Sequence, residues 1–172
     1  MTSLYDLTVP VLTRVLQTEV TILKKAEDYA KESGKPVSDL VNARLSPDMY
    51  PLSLQVAITV MVAKKTLQLL VGKEFTPDFK EISLEESYSR LADTVKELAE
   101  VKPEDINGQE SKVVEFSIGE RATSATDAAG VQRFLIPTVY FHLTTLYDIL
   151  RKEGVPVGKL DYLTHFIEGW EL

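Results

Sequence analysis

Apolar residues recur every three or four positions along four long stretches of the chain. In residues 8–33, Leu12, Leu16, Leu23, Ala26 and Ala30 step along one helical face. Glu19 falls on that same stripe, either at its edge and reaching water or partly buried with a partner. Gly34 and Pro36 end the helix. The second stretch is predicted to open at Ser46 and Pro47, as cap and first helical residue, and to run to Val71 before Gly72. Asp48 then lies in the first turn, where the helix dipole favours a carboxylate. Asp48, Leu52, Gln55 and Thr59 share one face. Leu54, Ile58, Met61 and Ala63 make this helix apolar on several sides, which predicts a central helix or one that also packs on a partner chain. Ser83 and Glu86 have capping-box spacing and open a third helix, with Leu84, Tyr88, Leu91, Val95 and Leu98 in one stripe. The fourth spans about Ala128–Lys152, with Leu135, Val139, His142, Leu146 and Ile149 facing inward. Pro137 lies inside it and predicts a kink or a later true start.

The connections have different chemistry. Val37–Leu45 is short and helical or irregular. Residues 103–130 are rich in glycine and small polar side chains. Within them Val113–Ile118 alternates with period two, and Arg121–Ala125 is placed to pair back on it through Gly119. A connection this long is either functional or covers something. After Gly154 a turn-rich segment leads to a short helix over Tyr162–Glu168, with Phe166 and Trp170 expected to cover the bundle end. The pattern gives an all-α fold over residues 1–172 as one domain: a four-helix bundle with a short β-like excursion before the fourth helix.

Composition narrows the function classes. Net charge is −7, and nucleic-acid affinity needs clustered Lys and Arg, so no nucleic-acid partner is expected. The same charge argues against anionic membranes. The absence of cysteine excludes disulfides, thiolate zinc sites and a Cys nucleophile. The first residues lack the basic start and apolar run of a signal peptide, and the apolar run at Val56–Ala63 is short for a bilayer. The expectation is a cytoplasmic protein with no membrane partner.

Two phrases carry more information than composition. One is Arg44-Leu-Ser-Pro-Asp48-Met-Tyr-Pro-Leu52, followed by Gln55. The other is Tyr140-Phe-His142-Leu-Thr-Thr-Leu-Tyr147-Asp-Ile-Leu-Arg151, continuing through Gly154, Gly158, Lys159, Asp161 and Tyr162. With the opening Leu4–Pro10, they resemble a domain-of-unknown-function family in the DinB/YfiT-like four-helix-bundle superfamily. That resemblance implies an up-down-down-up bundle, commonly a homodimer, with no established reaction. It also implies a comparison. The wider superfamily holds a metal with three histidines, one on helix two and an HxxxH pair on helix four. Here Leu146 stands four residues after His142, and helix two has no histidine. One His, one carboxylate and one amide make a poor transition-metal site, so neither metal nor cofactor is expected.

The candidate site is therefore built around His142. A histidine with a nearby carboxylate is the basic unit of general acid–base chemistry. His142 would be acid, base or ligand donor, and Asp48 its orienting carboxylate. Gln55, Tyr140, Tyr147, Arg44 and Glu19 would line a pocket. The leading reading is a small-molecule-binding bundle for apolar or aromatic compounds, with metal-independent catalysis left open. One alternative is a non-catalytic dimeric module whose polar cluster fixes core geometry. Another is a degenerate metal-binding relative. Arg44 with Asp48 also reads as a helix-end ion pair, and Lys159 with Asp161 as a pin for the C-terminal segment.

Overall fold

The computed structural model describes residues 2–118 and 120–171, with every side chain among them except that of Ile118. Helix α1 spans Val9–Ser33 and closes on Gly34 in the left-handed region, at φ 71°. A short α2 follows at Val37–Asn42. Helix α3 spans Leu52–Val71 and also ends on a left-handed glycine, Gly72. Helix α4 spans Leu84–Ala99, and the one-turn α5 covers Pro103–Ile106.

Strands β1, Val113–Ile118, and β2, Arg121–Thr126, form an antiparallel hairpin with Val113 opposite Thr126 and Ile118 opposite Arg121. Its expected turn at Gly119 lies outside the described residues. The last long helix runs without a break from α6, Asp127–Gly130, through a π-helical turn at Val131–Leu135 into α7, Ile136–Lys152. Helix α8 is Lys159–Leu163.

Three boundaries depart from the sequence expectation. Helix α3 begins at Leu52, not near Ser46, so Asp48 is not in its first turn. Pro51 is the reason. It has no N–H to donate into a preceding turn, and it disfavours a helical Tyr50. Residues 43–50 instead fold into turns, closed by Leu52 N–H donating to the Ala43 carbonyl at 2.9 Å. Pro137 does not interrupt the helix. The ladder widens just before it, Ile136 N–H reaching back five residues to the Val131 carbonyl. The C-terminal helix starts at Lys159, earlier than expected. The Asp161 carboxylate accepts from the Gly158 N–H at 2.7 Å and caps that start.

The core lies between α1, α3, α4 and α7. The inward stripe of α1 is buried, and Leu16, Leu91, Leu98, Leu146 and Ile149 are fully enclosed, while Leu84, Tyr88, Val95 and His142 are half-buried. Helix α3 is covered on all sides from Leu52 to Val60 by the chain itself. It is long and apolar enough to cross a bilayer by length and composition, yet most of it packs inside the bundle. Gly154 turns the chain after α7 at φ 89°, and Val155 N–H then caps the Leu150 carbonyl at 3.0 Å. The positive φ favours glycine here, and a Cβ at Gly154 would stand 3.0 Å from the Tyr29 hydroxyl, tight enough that this side chain would have to shift.

Candidate functional site

Where α3 and α7 pack together, a polar chain crosses the core. Gln55 is buried on α3 and makes two side-chain hydrogen bonds. Its amide nitrogen donates to the Tyr50 carbonyl at 2.9 Å. That carbonyl accepts only, so the amide's orientation is set and its Oε1 must face His142, 2.7 Å from Nδ1. An amide oxygen only accepts, so Nδ1 carries the hydrogen. His142 Nε2 is therefore left with its lone pair. Among the described residues Nε2 has no partner, and it is not among the fully enclosed orphan atoms. Burial holds His142 down to about 4, with no charged neighbour contributing, so the ring is neutral at physiological pH. The Phe141 ring stands edge-on to it at 5.3 Å.

The chain continues inward. Thr59, one turn along α3, donates its hydroxyl hydrogen to the Gln55 main-chain carbonyl at 3.0 Å. Beside Thr59 lies Glu19 of α1, fully buried, with neither carboxyl oxygen in a hydrogen bond. Burial, the largest cause, pushes its carboxyl well above the usual range, toward the protonated form. The edge-of-stripe expectation is corrected: Glu19 points into the core.

The other sequence candidates go elsewhere. Asp48 is exposed on the turn before α3, and its carboxylate accepts from the Ser46 hydroxyl at 2.7 Å, which lowers it below the ordinary value. The residue that orients His142 is Gln55. Arg44 ties the same turn, donating to the Met49 carbonyl at 2.6 Å and approaching Glu81 at 3.5 Å. Tyr140 and Tyr147 face the C-terminal segment, packing on Phe166 at 5.9 Å and Tyr162 at 6.0 Å. Asp161 pairs with Lys25 of α1 at 2.6 Å, so the C-terminal segment is pinned, though by Lys25 and not Lys159. Phe166 packs on the core, whereas Trp170 is exposed.

Sequence reasoning missed a cleft of about 950 Å³ between α3, α7, the hairpin and the 73–82 connection. Ile58, Met61 and Leu135 line it from the helices, with Phe75, Phe116 and Phe134 around them. Phe116 of β1 stacks on Phe134 of the π-helical turn at 5.6 Å, which fastens the hairpin over the helices. Thr138 lines it too. Gln55 lies three residues before Ile58 and His142 four after Thr138. Each is one turn along the face that lines the cleft. The period-two pattern of β1 and the proline in helix four were the available signals.

A family model described as "Domain of unknown function (DUF1993)" matches residues 4–163. The chain belongs to the DUF1993 family. A solved structure similar to this DUF1993 protein is a DinB family member from Shewanella denitrificans. The two are 32% identical over 93% of this chain and 91% of that one, with a TM-score of 0.83. The DUF1993 fold is thus DinB-like and mostly helical, with the small hairpin set before the last helices. No curated protein matches. The three-histidine metal of the wider superfamily does not fit the residues here. Among the described residues no three His, Cys, Asp or Glu side chains stand close enough to share an ion, and Leu146 is an enclosed core residue.

Proposed function

We propose that this DUF1993 protein binds a metabolite-sized apolar or aromatic molecule in the cleft between α3, α7 and the hairpin. The observation that carries the reading is the cleft itself. Its volume, about 950 Å³, is within the range of small-molecule sites, and its lining joins an apolar and aromatic surface to Lys65, Glu115 and several hydroxyls. Its position supports the reading as well. The hairpin is an excursion that the bundle does not need for its core, and here it forms one wall.

The test is a titration of isotopically labelled protein with a panel of small aromatic and aliphatic compounds. The expected result is coherent movement of the Ile58, Met61, Phe116 and Thr138 amide resonances. It should come with a melting-point rise equivalent to about 2.7 kcal/mol at a hundredfold excess over Kd. A panel that moves none of these amides, or only amides far from the cleft, contradicts the reading.

A further inference from the structure

We infer that the cleft takes apolar or aromatic acids, whose single carboxylate is received by the Lys65 ammonium. This rests on the cleft reading above and adds the chemistry of the ligand's head group.

Ile58, Met61, Val62 and Lys65 all line the cleft and follow one another at helical spacing. The apolar wall that α3 contributes therefore ends in a positive charge. The half-buried lysines of the chain are Lys25, Lys35, Lys64, Lys65 and Lys73. All but Lys65 touch a carboxylate. Lys25 pairs with Asp161, Lys35 with Glu153, Lys64 with Glu97, and Lys73 with Glu97 and Glu100. Among the described residues Lys65 has no such partner. It donates to the Gln68 amide oxygen at 2.8 Å. That bond takes one hydrogen of the ammonium and leaves the others for water or a ligand.

A molecule that fills the cleft strips water from those hydrogens. A neutral body leaves the charge uncompensated, which costs free energy. A carboxylate replaces the water with a charge-assisted hydrogen bond, stronger than a neutral one. Glu115, the other charged residue of the lining, is placed differently. It precedes Phe116 in β1, and Phe116 is stacked on Phe134 of the helix. Period two turns Glu115 to the opposite face of the hairpin, and it is exposed. An ion pair made in water is worth little, so an ammonium head group gains less at Glu115 than a carboxylate gains at Lys65. The net charge of −7 opposes anions of high charge, which favours one carboxylate over a phosphate-rich group. The aromatic walls Phe75, Phe116 and Phe134 suit a flat body behind it.

The test compares 2-naphthoate, methyl 2-naphthoate and 2-naphthylmethylammonium, which share one apolar body and differ in the head group. Affinities are measured with wild type and with Lys65→Met, after both are shown to fold by their melting curves. The Ile58, Met61, Phe116 and Thr138 amide resonances are followed in the same titrations. The expected result is that wild type binds the naphthoate about tenfold more tightly than the ester. The preference should vanish in Lys65→Met while binding of the ester persists. If the methionine variant fails to fold, the ¹⁵N resonance of Lys65 Nζ in wild type decides. Ring currents are common to both ligands, so it must move further with the naphthoate than with the ester. Equal movement, equal binding of acid and ester, or tightest binding of the ammonium compound overturns the head-group inference and leaves the cleft reading standing. A preference retained in Lys65→Met does the same. Failure of all three compounds to move any cleft amide overturns both.

Discussion

Glu19 opposes folding at neutral pH. Its carboxyl is buried without a hydrogen bond and held well above the usual range. The sign follows directly. The folded state keeps a proton that the unfolded chain releases above about pH 4.3, so stability falls as pH rises past that value. His142 works in the opposite direction. Its folded value, about 4, lies below the unfolded 6.5, so its contribution is complete above 6.5 and is lost as pH falls toward 4. Glu19→Gln removes the first dependence and keeps the shape. Urea unfolding should show the variant gaining on wild type as pH rises from 4 to 8, by on the order of 1 kcal/mol or more at the upper end. A constant difference across that range would mean that Glu19 is not a buried acid. A chain that carries such a group conflicts locally with its own core, and conflicts of that kind concentrate near sites. Helical spacing placed Gln55 and Thr59 on one face and His142 on the inward stripe. It left Glu19 undecided, because whether a stripe position meets solvent depends on the helix that packs against it. It joined Asp48 to His142 because it carried the helix through Pro51.

At the scale of elements, the hairpin and the π-helical turn work as a pair. Pro137 widens the helix before it, and the widened turn sets Phe134 against Phe116. Phe116→Ala removes that stack. Amide exchange in β1 and β2 should accelerate at least tenfold while exchange in the middle of α1 and α3 changes little. If the whole bundle loses protection together, the hairpin is part of the cooperative core and not a wall laid over it. The elements themselves were legible: three helix stripes, a Ser83 cap that accepts from the Glu86 N–H at 3.0 Å, and a period-two strand pair. The other half of the capping box was not, because the Glu86 side chain turns to Arg90 at 3.0 Å. The cleft was not legible either. It lies where hairpin, connection and two helices meet; the period-two strand and Pro137 signalled those elements but not the space between them.

Across the whole molecule, a DinB-like bundle keeps an inward histidine on its last long helix without the partners that would make it a metal ligand. Leu146 takes the next inward position and packs in the core, and the facing helix offers an amide. The consequence is a neutral imidazole with a fixed tautomer and an Nε2 lone pair that has no partner among the described residues, on a helix that also lines the cleft. That state is the central claim, and ¹⁵N-detected imidazole spectra of the wild-type protein as a function of pH test it directly. The account predicts that the His142 hydrogen sits on Nδ1 throughout pH 5.5–8, that Nε2 shows the signature of an unprotonated nitrogen, and that the ring titrates near 4. A hydrogen on Nε2, or titration at the ordinary value near 6.5, would contradict it.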